Sequence, residues 1–212
     1  MERMFIFGAR GFAKQFADTI EKQALYEIAF LFDDDPSLKG KEVYGYKVLS
    51  GRQNLITTHD LPIHAKAIVA IGDNKARVDV AQWLLDSQFE LVTVVHPWSQ
   101  QARGVSIGSG TIIMAGVAVN SDTKVGNSVV LNTGATIGHD CIIGDGSHVS
   151  SGCHLCGHVT VGINSLLGAG TAVIPGITIG NNVIVGAGST VIRDIPDDAR
   201  VAGNPCHPIS PK

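Results

Sequence analysis

An aliphatic side chain recurs at every sixth position between residues 107 and 191, without exception. The fifteen positions are Ile107, Ile113, Val119, Val125, Leu131, Ile137, Ile143, Val149, Leu155, Val161, Leu167, Val173, Ile179, Val185 and Val191. Glycine follows the aliphatic residue in eight of these units, and the residue two positions before it is small or β-branched throughout. A period of six fits neither a single helix nor a hairpin, but it is typical of a parallel β-helix in which three short strands and three corners make one coil.

The repeat predicts a triangular prism of about five coils. Each aliphatic side chain is expected to point inward and to stack on its counterpart one coil later, with a small residue beside it because a triangular section leaves no room for two large side chains. We expect the glycines that follow the aliphatic residues to lie at corners, where a residue without Cβ turns the chain at little steric cost. An ordinary sandwich of short strands would instead show turn signals at irregular spacings.

Ahead of the repeat, apolar strand segments alternate with amphipathic helices. Strands are predicted at Arg3–Phe7, Ile28–Phe32, Ala67–Ile71 and Leu91–Val95, and helices at Phe12–Gln23 and Lys75–Asp86. This order is that of a small parallel sheet with helices on its faces, a Rossmann-like α/β fold. Because the repeat begins only after residue 104, we predict two domains, 1–98 and 99–212.

The turn Gly8-Ala9-Arg10-Gly11 follows the first predicted strand and opens the first helix, which places backbone N–H groups where a phosphate can bind. The second strand ends at Asp33, Asp34 and Asp35, where an acidic residue can accept hydrogen bonds from a sugar or a base. Gly-x-x-Gly is not the full Gly-x-Gly-x-x-Gly fingerprint, so a nucleotide or nucleotide-sugar site competes with a tight turn that binds nothing. A redox dinucleotide is disfavoured, since the domain is too short to hold two mononucleotide lobes.

Composition and charge narrow the partners and the compartment. A net charge of −3, with sixteen lysines and arginines, provides no basic stripe, which disfavours nucleic acid. No apolar run approaches the roughly 18 residues that span a bilayer, and the N-terminus enters a strand pattern directly, without a cleavable signal. We therefore expect a cytoplasmic chain with no membrane partner and with reduced cysteines.

Histidines and cysteines cluster in the middle of the repeat: His139, Cys141, His148, Cys153, His154, Cys156 and His158. Mixed cysteine and histidine ligands suit zinc, but the phase of the repeat places Cys141 and Cys153 inside the prism and the histidines outside. Because inward cysteines and outward histidines cannot share one tetrahedral ion on the same coil, we expect no metal. We expect His154 and His158 to be solvated and without a role.

His139 has one feature of its own, because a single coil separates it from Gly157. An imidazole would thus stack beside a residue with an unobstructed backbone N–H. A base and an amide donor are the pair that acyl transfer needs, one to remove a proton and the other to hold the developing oxyanion. Asp140 could orient the imidazole or stabilise its charged form only if a corner redirects its side chain, since adjacent side chains on extended backbone diverge.

Three motifs resemble bacterial sugar acyltransferases of the NeuD and PglD type. They are Leu131-Asn132-Thr133-Gly134-Ala135-Thr136-Ile137-Gly138-His139-Asp140-Cys141, Gly152-Cys153-His154-Leu155-Cys156-Gly157 and Ala202-Gly203-Asn204-Pro205. The resemblance covers nearly the whole chain. It implies a left-handed β-helix that binds acetyl-CoA, an α/β domain that holds a nucleotide-linked sugar, and a homotrimer with active sites between neighbouring prisms.

The resemblance also implies roles for individual residues. His139 would be the general base with Asp140 as its partner, and the Gly157 N–H would receive the carbonyl oxygen of the acetyl group. Asn132 would position groups in the site, and His148 would contact the thioester end of the cofactor. The residues implied to line the pantetheine and adenine path are Ala169, Gly186, Gly188, Asn204 and Pro205.

One departure concerns the substrate. Relatives that act on UDP-linked amino sugars tend to carry Gly-x-x-Gly-His in the first turn, where this chain has Phe12 after Arg10 and Gly11. The identity of the nucleotide therefore stays open, and Arg10 either binds a phosphate or carboxylate or is merely solvated.

The predicted function is an acetyl-CoA-dependent N-acetyltransferase that acts by direct attack on the amino group of a nucleotide-linked 4-amino-4,6-dideoxy sugar. Such a product would supply surface polysaccharide or glycoprotein. The alternatives are O-acetylation of sialic acid or a related sugar, and a non-catalytic β-helical scaffold or sugar-nucleotide sensor.

Overall fold

The computed structural model describes residues 1–52, Leu55 and residues 65–209. The chain divides into two compact units, Met1–His96 and Pro97–Lys212. Within the described ranges, no helix is both long enough and apolar enough to cross a membrane.

The first unit is built around a mostly parallel sheet. Its strands are β1 (Glu2–Phe7), β2 (Tyr26–Phe32), β3 (Glu42–Val43), β4 (Tyr46–Leu49), β5 (Lys66–Val69) and β6 (Glu90–Leu91), in the order β3-β4-β2-β1-β5-β6. β3 pairs with β4 in antiparallel fashion and the other pairs are parallel. The helices are α1 (Gly11–Gln23), α2 (Asn74–Asp86) and a 3₁₀ helix at Pro36–Leu38.

The predicted α/β class is therefore confirmed, with corrections to two strands. The strand predicted at Ala67–Ile71 ends at Val69, and the one predicted at Leu91–Val95 consists of β6 and a second short strand, β7 (Val94–Val95). The hairpin of β3 and β4 was not predicted, because strands of two and four residues are too short to show a periodic pattern.

The centre of this sheet is buried on both sides. The run Met4-Phe5-Ile6-Phe7 is at most 2% exposed, as a parallel strand covered by helices on both faces requires. Phe5 and Phe7 pack in one cluster with residues of α2, among them Val80 and Leu84. Successive side chains of a strand alternate between faces, so Met4 and Ile6 point to the opposite side of the sheet.

β1 is the switch point of the sheet. The strand that follows it in the chain, β2, lies on one side of β1, and the later strand β5 lies on the other side. In open α/β sheets, ligands bind outside the carboxyl ends of the strands at such a point. Gly8 leaves β1 there with φ +115°, and a β-carbon on Gly8 would lie 2.7 Å from the Ala70 carbonyl oxygen. Only glycine satisfies both the conformation and the close approach.

We expect Gly8→Ala to lower the free energy of unfolding by about 1–3 kcal/mol, because it adds both backbone strain and a clash with Ala70. Gly11→Ala is the matched control, since Gly11 has no positive φ and an added β-carbon would meet nothing within 4 Å. Urea unfolding of the two variants and the wild type measures the difference. Equal unfolding midpoints for both variants would contradict this explanation of Gly8.

The second unit is a left-handed parallel β-helix, as predicted. Its strands are β8 (Gln100–Gln101), β9 (Ser106–Ile107), β10 (Ile112–Ile113), β11 (Ala118–Val119), β12 (Lys124–Val125), β13 (Val130–Leu131), β14 (Thr136–Ile137), β15 (Ile142–Ile143), β16 (His148–Val149), β17 (His154–Leu155), β18 (Thr160–Val161), β19 (Leu166–Leu167), β20 (Ala172–Val173), β21 (Thr178–Ile179), β22 (Ile184–Val185), β23 (Thr190–Val191), β24 (Arg200–Ala202) and β25 (His207–Pro208). Each of the fifteen predicted aliphatic positions is the second residue of one of the strands β9 to β23.

Three faces and their edges describe the positions on the prism. The first face contains β10, β13, β16, β19, β22, β24 and β25, the second contains β8, β11, β14, β17, β20 and β23, and the third contains β9, β12, β15, β18 and β21. The first edge is the corner where the chain passes from the first face to the second, as at residues 132–135. The second edge joins the second face to the third, as at residues 138–141, and the third edge joins the third face to the first.

The repeat positions form the core of the prism. Fourteen of the fifteen aliphatic side chains are buried, and Ile107, near the start of the prism, is half-buried. The small inward residues do more than save space, because their hydroxyl groups join successive coils. Thr123 Oγ1 donates to the Gly138 carbonyl at 2.7 Å and accepts the Cys141 N–H at 3.1 Å.

The glycines of the repeat lie at corners as predicted, but the reason given for them, that they ease the turn of the chain, was wrong. The glycines that directly follow the aliphatic residues do not have positive φ. A β-carbon on Gly138 would instead lie 2.4 Å from the Cys156 carbonyl carbon of the next coil. These glycines are needed because neighbouring coils approach closely, while the left-handed corner conformation falls two residues later, as at Asp140.

Candidate functional site

His139 and Asp140 form a close pair on the second edge of the prism. Asp140 has φ +55°, so the left-handed corner turns its side chain back toward its neighbour. The His139 Nδ1 and Asp140 Oδ2 atoms are 2.7 Å apart. The hydrogen bond from His139 is the main reason why the pKa of the Asp140 carboxyl lies below its usual range, with His158 and the His139 charge also lowering it. An ionised carboxylate only accepts hydrogen bonds, so in the neutral imidazole the proton lies on Nδ1 and the lone pair on Nε2.

The tip of the His139 ring lies over Gly157. A β-carbon on Gly157 would be 2.6 Å from Nε2 and 2.7 Å from Cε1 of His139. Gly157 has no positive φ, so space for the imidazole, and not backbone conformation, requires glycine here.

The Gly157 N–H donates to no acceptor among the residues that the structure describes. On the third edge, side chains one coil later accept such corner amides, as Asp145 accepts the Asn127 N–H at 2.7 Å. The corresponding residue for Gly157 is Pro175, whose side chain has no acceptor. An imidazole lone pair and an available amide donor therefore lie together on the second edge.

His158 joins this group, although the sequence did not predict a role for it. Its ring is perpendicular to that of His139, with centroids 5.0 Å apart. Its Nε2 lies 3.9 Å from Asp140 Oδ2. The signal in the sequence is that Asp140 and His158 are eighteen residues apart and so occupy equivalent corners of successive coils.

The two cysteines of the inward phase are buried as expected. Cys141 and Cys153 have no exposed surface, and their thiols contact the Cys156 and Gly168 carbonyl oxygens at 3.2 and 3.1 Å. Burial raises the pKa of both thiols. They are therefore poor nucleophiles, and they lie inside the prism while the histidines lie outside it.

Asn132 and His148 meet on a different part of the prism. His148 lies in β16 on the first face, and Asn132 follows β13 at the first edge. Asn132 Oδ1 accepts the Thr133 N–H at 2.7 Å, which turns Asn132 Nδ2 toward His148 Nε2 at 3.4 Å.

The remaining predicted cofactor residues follow the same edge. One to three residues after strands of the first face lie Ala169, Gly186, Gly188, Asn204 and Pro205. Glycine and alanine leave the backbone of this edge accessible, and Gly188 N donates to the Ala169 carbonyl at 2.8 Å. Pro205 also lines a cavity of about 260 Å³ at the carboxyl end of the prism, beside Ile195 and Val201.

The structure thus brings the predicted prism residues together in two groups and not in one. His139, Asp140 and Gly157 lie on the second edge, while Asn132, His148 and the five later residues lie on or beside the first edge. The second face separates the two edges of one chain.

In the first unit, Asp33 connects two loops at the carboxyl end of the sheet. Its Oδ2 accepts the Ala9 N–H at 2.9 Å and its Oδ1 accepts the Asp35 N–H at 2.9 Å. Asp35 in turn pairs with Arg10 at 2.7 Å. Asp33 therefore shapes the turn after β1, and Arg10 lies exposed above it, at the start of α1.

Asp34 pairs with Arg52, a contact that the sequence did not predict. The guanidinium of Arg52 donates through Nε and Nη2 to the Asp34 carboxylate, the shortest bond being 2.7 Å. It also lies 4.6 Å from the Trp83 ring centroid and 5.7 Å from that of Phe7. No motif marks Arg52, because only the packing of the sheet brings it to Asp34.

Helix α1 begins directly after Arg10, the partner of Asp35, and has no side-chain cap. Arg10 is its N-cap and makes no capping hydrogen bond, and the first turn holds no acidic residue. Phe12 is half-buried against Phe16, with ring centroids 5.1 Å apart. The helix start can thus accept an anion, while Phe12 presents an apolar surface next to it.

Comparison with known proteins matches both units. Residues 3–84 match the PglD N-terminal domain, and residues 122–157 and 158–193 match the bacterial transferase hexapeptide (six repeats). GDP-perosamine N-acetyltransferase of Escherichia coli O157:H7 is 32% identical over 124 residues, which cover 57% of this chain and only 54% of that relative.

Two solved structures are similar over almost the whole chain. A point mutant of perosamine N-acetyltransferase from Caulobacter crescentus, in complex with CoA and GDP-perosamine, is 34% identical with a TM-score of 0.93, and the match covers 100% of this chain and 98% of that one. The acetyltransferase domain of PglB from Neisseria gonorrhoeae FA1090 is 30% identical with a TM-score of 0.90, covering 99% and 100%.

Fold and site together define the class of hexapeptide-repeat transferases. Within that class, the chain belongs to the family of bacterial sugar N-acetyltransferases that carry a PglD-type N-terminal domain.

Proposed function

We propose that this protein transfers the acetyl group of acetyl-CoA to the amino group of a nucleotide-linked 4-amino-4,6-dideoxy sugar. The observation that carries the proposal is the His139 imidazole, held by Asp140 with Nε2 over Gly157. Membership of the family supports the same reaction, since the relatives above are named as N-acetyltransferases.

In the proposed reaction, the sugar amine attacks the thioester carbonyl carbon directly. His139 Nε2 accepts the proton that the amine loses, and Asp140 stabilises the imidazolium through Nδ1–H. The Gly157 N–H donates to the oxyanion of the tetrahedral intermediate. The carbon–sulfur bond then breaks, and the leaving thiolate takes the proton from the imidazolium, which restores the base.

The first edge is the proposed path of the cofactor. Asn132 and Asn204 are four coils apart, a rise of about 19 Å at the spacing of paired strands. This length suits an extended thiol-bearing arm, with Asn132 and His148 at the thioester end and Pro205 at the nucleotide end. The small residues Ala169, Gly186 and Gly188 would allow the arm to lie against the backbone.

The first unit is the proposed site of the sugar nucleotide. The start of α1 would bind its phosphates through backbone N–H groups, with Arg10 beside them. Asp34 and Arg52 flank the same end of the sheet, and Phe12 offers a surface for the sugar or the base. A GDP-linked sugar is the first choice, because the relatives from Escherichia coli and Caulobacter crescentus are described with GDP-perosamine.

Product analysis tests this proposal. The protein is incubated with acetyl-CoA and, in separate reactions, with GDP-perosamine, UDP-linked and dTDP-linked 4-amino sugars, and sialic acid. Thiol release is followed, and the acetylated atom is identified by mass spectrometry. We expect an amide on an amino sugar nucleotide. An ester on sialic acid would replace the proposal by O-acetylation, and the absence of any product would favour a scaffold or sensor.

We further propose a homotrimer in which the second edge of one chain faces the first edge of its neighbour. The reason is that the two groups of site residues lie on different edges of one chain, whereas one reaction needs both. Closed rings of this kind repeat the same heterologous contact around the axis.

Mixed oligomers test the shared site. His139→Ala and His148→Ala are each expected to be nearly inactive, since each removes one half of every site. Random co-assembly should restore about a quarter of wild-type activity, because a site is intact only when both contributing chains supply a native edge. Acetyl transfer by co-expressed variants measures this recovery. No recovery in a sedimenting trimer would place each site within one chain.

A further inference from the structure

Three potential metal ligands converge on the second edge. One ligand atom each from His139, Asp140 and His158 lies within 4.8 Å of the others, and all three residues are exposed. The group differs from the cysteine–histidine set considered from the sequence, since all its members point outward.

The spacing of these atoms is close to what one zinc ion needs. Zinc binds imidazole nitrogen and carboxylate oxygen at about 2.0–2.2 Å, so two ligands of a tetrahedral site lie about 3.3 Å apart. The Nδ1 of His139 and the Nε2 of His158 are 2.7 and 3.9 Å from Asp140 Oδ2. These two separations each have to change by only about 0.6 Å, and the two imidazole nitrogens, within 4.8 Å of each other, have to approach by at most about 1.5 Å. All three side chains are exposed, which leaves them room for such rotamer changes.

We propose that His139, Asp140 and His158 form an inhibitory zinc site. The ion would take the place of the proton on His139 Nδ1, with Asp140 Oδ2 and His158 Nε2 as further ligands and water in the fourth position. A metal on Nδ1 fixes the remaining proton of the neutral imidazole on Nε2. The ring then has no lone pair to accept a proton, so zinc would stop the reaction without occupying either substrate site.

The inhibitory part rests on the proposed function, whereas the binding part does not. The binding experiment therefore uses zinc chloride alone. Full-length protein is treated with a chelator and then titrated calorimetrically. Cys156 and Cys206 are both replaced by serine, because Cys156 is exposed, Cys206 is half-buried, and accessible thiols bind zinc themselves.

His158→Asn is the informative variant. His158 has φ +60°, a conformation that asparagine tolerates well. His154→Asn is the matched control, because His154 is also exposed but bonds to Thr136 at 2.8 Å and is not part of the group.

We expect one zinc per chain in the parent and in His154→Asn, and at least about tenfold weaker binding in His158→Asn, since even outer partners of a metal site are worth 10–100-fold. Zinc should inhibit acetyl transfer in the first two and not in His158→Asn, with activity restored by EDTA. Equal zinc affinity in all three would overturn the site, and equal inhibition in all three would overturn the mechanism of inhibition. If none of the three proteins transfers acetyl groups, the proposed function fails, while the titration still shows whether the zinc site exists.

Discussion

Replacing His139 by alanine should lower kcat for acetyl transfer by about 10²- to 10⁴-fold, the usual contribution of a positioned base. The Michaelis constants for acetyl-CoA and the amino sugar should change little, because the imidazole is proposed to accept the amine proton in the transition state and not to bind either substrate. Continuous detection of free CoA thiol measures both quantities.

His154→Ala is the control for this variant. His154 lies on β17 of the second face, also exposed, but its ring bonds to Thr136 and not to a carboxylate. We expect wild-type kcat in His154→Ala. If the two variants lose the same activity, or if His139→Ala keeps full activity, His139 is not the base.

Gly157→Ala should lower kcat by about 10²-fold, because a misplacement of about 1 Å is enough for a loss of that size. The added methyl group would lie within 2.6 Å of His139 Nε2, so the imidazole must swing away from its position. The fold should tolerate this change, since the ring is exposed and can move. Thermal unfolding and acetyl transfer, measured on the same preparation, separate the two effects.

Gly138→Ala provides the contrast. Its added methyl group would lie 2.4 Å from the backbone carbonyl carbon of Cys156, and backbone cannot move aside as a side chain does. We expect a loss of about 1–3 kcal/mol in stability. If Gly157→Ala destabilises the protein as much as Gly138→Ala does, or if Gly157→Ala leaves kcat unchanged, then Gly157 does not serve to make room for the His139 ring.

The prism could be predicted almost residue by residue, because one physical rule acts fifteen times. Each aliphatic side chain must point inward, so a sixfold period fixes strand positions, phase and core together. The same rule could not explain the glycines. Their necessity arises from contact between coils, as between Gly138 and Cys156, and a sequence pattern records the glycine without its reason.

The proposed base could be located from the sequence because residues that are one coil apart along the chain lie next to each other on the prism. Eighteen residues separate His139 from Gly157, and the structure brings the ring onto that glycine. His158 was missed although it obeys the same arithmetic with Asp140. A solvated side chain was the default expectation there, and only the left-handed corners at both residues bring them within reach of each other.

The sheet domain was less predictable where packing decides the neighbours. Asp33 was a candidate for binding substrate, yet both its carboxylate oxygens accept loop N–H groups. Arg52 has no motif, and it reaches Asp34 only because β2 and β4 are adjacent in the sheet. Such long-range pairs depend on strand order, which no local pattern encodes.

Chemical rescue tests whether an imidazole at this corner takes the proton of the attacking amine. Free imidazole is added to His139→Ala, and acetyl transfer from acetyl-CoA to GDP-perosamine is followed. We predict a rate that rises in proportion to imidazole concentration in this variant and stays constant in the wild type. A His139→Ala protein that turns over at the wild-type rate without imidazole would contradict this prediction.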